Sequence, residues 1–311
     1  TYSQVAPTSI KNNCPSIRQT PPIKLTLCTI FGKNSAIRIF YISYCIIYYI
    51  KLRTVVWRDD KQEKYMFNKL GKITLLATTF FALTASAQTI HVGTEPTFAP
   101  FGFVDKNTSQ VVGFDIDIIN AIGKAVGIEV VIESLQFDGL IPAVLSNSID
   151  AAISGMTKNP QREQQVLFSD PYYVAGQDLM IRKEDLGKYT KMSDLEGKKV
   201  CVQIGSAGAQ IANGIKNAEV KNYNTMTEAY IELSKKGCEA AITGTPVNQF
   251  YLVETGDKKL AHVPESVVKA TDLGIITNKK NTELMKQINQ GLKIIKENGQ
   301  YDEIYNKWFK K

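Results

Sequence analysis

IHVGTEPTFAPF (Ile90–Phe101), VVGFDIDII (Val111–Ile119), FDGLIPAV (Phe137–Val144) and IDAAISGMTKNPQR (Ile149–Arg162) decide the fold. They read as strand, aromatic loop, strand, acid-started helix, helix, then strand and polar turn ending in one arginine. The rhythm continues along the chain. Short apolar strands are expected at Ile90 to Val92, Val130 to Glu133, Ala151 to Ser154, Lys199 to Ile204 and Glu239 to Thr243. Helices are expected between them at Asp115 to Val126, Gly139 to Ser146, Ala207 to Lys216 and Met226 to Lys236, with a later one at Asn281 to Lys296. Strands that alternate with helices predict parallel sheets covered by helices, an α/β protein. The block occurs twice in outline, once ending in IDAAI (Ile149–Ile153) and once in CEAAI (Cys238–Ile242), which predicts two similar lobes.

Upstream, Met66 opens what reads as a secretory signal: Lys69 and Lys72, an apolar Ile73 to Leu83, and Ala85-Ser86-Ala87 as a small-residue cleavage site. Residues 1–65 then read as a non-native, disordered upstream extension. Its apolar run Ile39 to Ile50 falls short of the ~20 residues that span a bilayer. The whole chain carries a net charge of +7, but residues 1–87 hold 12 Lys+Arg against 3 Asp+Glu. That leaves 25 against 27, so the basicity belongs to the leader and no nucleic-acid-binding stripe is expected. Of five cysteines, Cys14, Cys28 and Cys45 precede the cleavage site. Cys201 and Cys238 remain, and their stagger along neighbouring strands favours two thiols over a bridge. His91 and His262 are the only histidines, with no metal-ligand spacing around them, so neither metal nor cofactor is expected.

The run from Thr89 to Phe309, including ENGQYDEIYNKWF near the end, resembles the polar amino-acid-binding solute-binding proteins (family 3) that serve ABC importers. Glutamine-binding and histidine- or lysine/arginine/ornithine-binding proteins are of this kind. The resemblance implies the type II periplasmic binding protein fold: two α/β lobes, a two-strand hinge and a ligand cleft. Lobe 1 would comprise residues 88–173 plus 274–311 and lobe 2 residues 177–268, with hinge strands near 173–177 and 269–274. It also implies a monomeric periplasmic receptor in a Gram-negative cell, and a membrane permease as partner.

Ligand-binding residues follow by position. Arg162 matches the arginine that holds the ligand α-carboxylate, a task suited to a rigid guanidinium fork. Thr157 and Gly155 lie in the same turn. Phe98 and Phe137 match the aromatics that sandwich the ligand side chain. Glu95 and Gln203 match positions that read its far end, and an acid there leans toward a basic ligand. Ala207, at the helix start after Gly205, and Thr243 complete the set. As isolated residues each has a plainer reading: surface arginine, core phenylalanine, turn threonine, loop acid. Arg182 is assigned to the surface, Phe101 and Phe114 to the core, and Asp115 to capping its helix. One departure stands out. The family's acid for the ligand ammonium falls on Gly244. A basic amino acid is therefore the expected ligand. Glutamine is the alternative, and an enzyme resembling cyclohexadienyl dehydratase is a further one, although no catalytic residue is assigned.

Overall fold

The computed structural model describes residues 88–310. The expected extension, the signal peptide and Cys14, Cys28 and Cys45 lie outside the described residues. In chain order the first elements are β1 (Gln88–Thr94), β2 (Thr97–Phe98), β3 (Gly102–Val104), β4 (Val111–Val112) and α1 (Phe114–Val126). Then come β5 (Ile128–Ser134), α2 (Leu140–Leu145), β6 (Ala151–Ala152), α3 (Pro160–Glu163) and β7 (Val166–Phe168). β8 (Tyr173–Arg182) leads to β9 (Lys199–Gln203), α4 (Ala207–Asn213), β10 (Glu219–Tyr223), α5 (Met226–Ser234), β11 (Ala240–Gly244) and α6 (Thr245–Thr255). β12 (Leu260–Leu273), β13 (Ile276–Asn278), α7 (Thr282–Glu297) and α8 (Gln300–Phe309) finish the chain.

The strands form two five-stranded sheets of one plan, β5-β1-β6-β13-β7 and β10-β9-β11-β8-β12, plus a small β2-β3-β4 sheet. In each large sheet two neighbouring pairs are parallel and two antiparallel, so that one strand, β13 or β8, runs against the other four. The sequence predicts purely parallel sheets. The difference has a topological cause: parallel neighbours need a helical crossover, whereas β8, β12 and β13 arrive from passages between the sheets. β8 and β12 carry the chain across, paired from Arg182 with Leu260 at one end to Tyr173 with Leu273 at the other.

The elements form where the apolar pattern dictates. In α1, Phe114, Ile118, Ile119 and Ile122 make one buried stripe, the face a helix turns to its core. Gly127, in the left-handed region at φ 75°, ends the helix by donating its N–H to the Gly123 carbonyl. On α7, Leu284, Ile288, Leu292 and Ile295 repeat the pattern, and both stripes join one core with Ile90 and Val92 of β1. The second sheet has its own core around Leu179, Val200, Val202 and Ile242.

Two expectations fail. Cys201 and Cys238 form a disulfide with Cα atoms 6.0 Å apart. The stagger expectation put Cys238 just before the neighbouring strand and out of reach of Cys201, but the turn after α5 brings it back beside Cys201. There it packs with Cys201, Ala229 and Leu233 in one cluster. Arg182 is buried rather than superficial. Its Nη2 pairs with Asp185 at 2.6 Å and its Nη1 donates to the Cys238 carbonyl, so it braces that same turn.

The disulfide closes a separation of 37 residues, for which loop entropy gives about 4 kcal/mol and experience about 2–4. The double variant Cys201→Ala with Cys238→Ala should lose stability on that scale in urea unfolding, as should the reduced native chain. An unchanged midpoint for both would remove the bond from the account of stability.

Candidate functional site

The candidate residues lie at the carboxyl ends of β1, β5, β6, β9 and β11 or in the loops that follow them, the usual place for a ligand in open α/β sheets. After β6 the segment Ser154–Arg162 is built residue by residue. Ser154 is buried, and its Oγ accepts the Glu95 N–H at 3.1 Å, which ties the β1 exit to the β6 exit. Gly155 sits at φ +55°, and a Cβ there would stand 2.9 Å from the Phe98 ring. Glycine thus allows both the left-handed turn and the approach of the aromatic. Asn159 caps the short α3, accepting the Arg162 N–H at 2.8 Å, with Pro160 in the first helical position.

That cap turns Arg162 inward, where it is 4 % exposed. Nη1 donates to the carbonyl and to Oγ1 of Thr157, both at 2.7 Å, and Nη2 donates to the Gly205 carbonyl at 2.8 Å. Gly205 follows β9, so the guanidinium joins loops of the two sheets. Beside it, Asn159 donates to Gln210 at 3.2 Å. The Arg162 Cζ lies 5.5 Å from the Phe137 ring centre, within cation–π range. Burial lowers its pKa to about 10, and it stays charged at neutral pH. Among the described residues no carboxylate comes within 4 Å of it.

Glu95 is the buried acid of the set. It is 1 % exposed, its Oε1 accepts from the Thr97 hydroxyl, and its Oε2 is buried with no hydrogen-bond partner among the described residues. Burial pushes its carboxyl above the usual range, opposed by the hydroxyl of Thr97 and the side chain of Gln203. Gln203 is itself buried and donates to the Asn224 carbonyl at 3.0 Å. Phe98 is half-buried, stacked on Phe101 at 5.8 Å, and also touches the core around Met226 and Tyr230 of the second sheet. Phe101 and Phe114 are core, at 1 % and 0 % exposed.

The structure therefore brings Thr157, Arg162 and Phe137 together, and separately Glu95 and Gln203, with Gly155 against Phe98. Ala207 begins α4, whose cap Ser206 accepts the Ala209 N–H at 3.1 Å. Thr243 is buried on β11 opposite Asp178 of β8 and makes no hydrogen bond to the Arg162 group. Asp178 is fully buried, with Oδ1 taking Asn248 Nδ2 at 2.6 Å and Oδ2 paired with His262 Nε2. Asn248 in turn accepts from Tyr230 at 2.6 Å, so β8, β12, α5 and α6 share one polar network.

Asp115 departs from its expected capping role. The α1 cap is Gly113, with no side-chain cap bond. Asp115 is buried and its Oδ2 accepts the Gly155 N–H at 2.7 Å, holding the binding turn from behind. Sequence reasoning missed this, because an acid in a first helical turn has a sufficient local use. It also missed Asn159, although Asn-Pro ahead of a short helix is a recognisable start signal.

The family of bacterial extracellular solute-binding proteins, family 3, matches residues 90–311. An arginine-binding periplasmic protein of Mannheimia haemolytica is 35% identical over 246 residues, covering 76% of this chain and 98% of that protein. Among solved structures, an ancestral arginine-binding protein bound to arginine is 40% identical with a TM-score of 0.67, covering 71% of this chain and 98% of that one. An ancestral amino-acid-binding protein described as a precursor of cyclohexadienyl dehydratase is 35% identical with a TM-score of 0.65, covering 71% and 95%.

Burial raises the Asp115 pKa from 3.8 to about 7, against the opposing Gly155 N–H. Between those values the unfolded chain has lost a proton that the folded chain keeps, so Asp115 makes stability fall as pH rises from about 4 to 7. Asp115→Asn keeps an acceptor for Gly155 and removes the titration. Urea unfolding across that range should show the variant gaining on the native chain as pH rises, by at most roughly 3–4 kcal/mol. A difference independent of pH would show that Asp115 ionises freely in the fold.

Proposed function

The chain belongs to family 3 of the bacterial extracellular solute-binding proteins, and on that premise we propose that it is the periplasmic receptor of an ABC importer for a basic amino acid. The observation that carries the reading is a pair of buried groups of opposite sign at the strand ends. Arg162 is a cation with no acid partner, and Glu95 is an acid with an unpartnered oxygen. A carboxylate at Arg162 and a guanidinium or ammonium at Glu95 complete both. Charge-assisted bonds of this kind are about twice as strong as neutral ones. Thr157 supplies the hydroxyl beside Arg162, and Phe98 and Phe137 offer faces to the ligand's stem. Gln203 supports Glu95, Gly155 lets Phe98 approach, and Ala207 and Thr243 line the second lobe.

The lobes are residues 88–173 with 274–311, and 177–268. They close by bending where β8 and β12 cross, near 173–177 and 269–274. Closure excludes water and strengthens each polar contact. The closed receptor docks on a membrane permease, and the receptor itself is a monomer. Among the described residues no helix is long and apolar enough to cross a membrane. The arginine-binding relatives support a basic ligand over glutamine. The enzymatic alternative draws on Glu95, whose raised pKa suits a general acid, and on the likeness to the dehydratase precursor.

Calorimetric titration of the chain, stripped of copurified ligand by unfolding and refolding, tests the reading. Arginine, lysine or ornithine should bind tightly. Arg162→Ala should weaken binding by about 100-fold or more, the cost of leaving a buried charge unpaired. Glu95→Gln should weaken arginine by about tenfold and spare glutamine. Preference for glutamine would move the ligand, and turnover of prephenate or arogenate would replace the receptor by an enzyme.

A further inference from the structure

An α-amino acid brings a second positive charge close to its carboxylate, and the neighbourhood of Arg162 has little to receive it. Four carboxylates adjoin candidate residues. Glu95 is on the β1 loop beside Gln203. Asp115 is behind the binding turn, holding the Gly155 N–H. Asp138 is exposed on the rim, its Cβ beside Gly205, where water screens it. Asp178 has one oxygen on Asn248 and the other on His262. The oxygens nearest Arg162 are also engaged, since the Thr157 carbonyl and hydroxyl and the Gly205 carbonyl all accept from the guanidinium.

Gly244 marks the empty quarter. Ala240 and Ala241 of β11 pair with Val200 and Cys201 of β9. Gly244 lies three residues beyond Ala241, as Ile204 lies three beyond Cys201. By that register Gly244 is level with Ile204 at the end of the neighbouring strand, and the residue after Ile204 is Gly205, the acceptor for Arg162. A Cβ at Gly244 would meet nothing nearer than 3.8 Å, where it finds the Gln177 amide and Pro246. The surroundings are neutral, and Pro246 offers no N–H. Gly244 also caps α6, an 11-residue helix whose amino end carries partial positive charge. A bare ammonium gains nothing from such a corner, while a neutral nitrogen or a substituent on it has room.

Building on the basic-ligand reading above, we infer that the cleft recognises its ligand by the two ends and not by a charged α-nitrogen. ω-Guanidino and ω-amino carboxylates that lack the α-amino group, or carry it acylated, are then ligands on a par with the free basic amino acid. Gly244 is the residue that sets this tolerance.

The test titrates the stripped chain with L-arginine, δ-guanidinovalerate and Nα-acetyl-L-arginine, then repeats it with Gly244→Asp. The native chain should bind δ-guanidinovalerate within about tenfold of L-arginine, and the acetylated compound measurably. Gly244→Asp should shift the ratio toward L-arginine by about tenfold or more, one carboxylate–ammonium pair in a closed site. L-Arginine binding more than tenfold tighter than δ-guanidinovalerate in the native chain would overturn the inference and leave the basic-ligand reading intact. An unchanged ratio in Gly244→Asp would overturn the role of Gly244. Failure of all three compounds to bind would remove the basic-ligand reading itself, and this inference with it.

Discussion

A guanidinium with 4 % exposure and no carboxylate beside it is the constraint from which the rest of the cleft follows. Stripping water from a charge is costly unless hydrogen bonds replace the lost solvation. Arg162 gets them from Thr157 on its own loop and from Gly205 on the other sheet's loop. Both loops must then be held still. Asn159 caps the turn that presents the arginine, Asp115 pins Gly155 from behind, and Ser154 fastens the β1 exit that carries Glu95. A side chain of either sign in the cleft thus depends on backbone geometry fixed by neutral or buried groups several residues away.

The two sheets share a strand plan but not a sequence of connections. In each, the fourth strand is an antiparallel partner of the third, β13 beside β6 and β8 beside β11. That strand comes from the other side of a crossing, so neither sheet is complete until the chain has passed between them. The second sheet adds a polar anchor at this seam. Asp178 on β8 meets His262 on β12 and Asn248 on α6, which ties both crossing strands to a helix of the same sheet. Hinge closure of the kind proposed requires rigid bodies with a narrow flexible connection, and this anchor would stiffen the second sheet's end of the pair.

Much of this was legible in the sequence where periodicity and residue type spoke together. The IDAAI and CEAAI repeats mark the inner strands β6 and β11, and Arg162, Glu95 and Gln203 stand out by their match to positions of the resembled family. Contacts that join distant segments were not legible. Asp115 looked like a helix-starting acid because that use is local and sufficient, while its bond to Gly155 spans 40 residues. Cys238 stands just before a strand, where stagger along the strand direction suggests separation from Cys201, and only the turn after α5 shows that the two meet. Arg182 in a charged run has the appearance of a surface residue, and only the turn carrying Cys238 explains its burial. β10 (Glu219–Tyr223) has too short and polar a pattern to stand out, and its partner β9 is what makes it a strand.

Gly244 shows how the two levels combine. Sequence alone marks the position as one without a side chain, which by itself is a turn residue before a proline. The register of β9 against β11 turns it into a place, level with the start of the loop that Arg162 grips. The groups a side chain there would meet, the Gln177 amide and the Pro246 ring, are uncharged, and the Thr157 and Gly205 oxygens beside Arg162 already accept from its guanidinium. In a closed cleft, specificity arises as much from unmet charge as from contacts made. A corner that offers no counter-charge penalises a bare ammonium more than an uncharged group of the same size, and such a cleft selects for its ligand's ends.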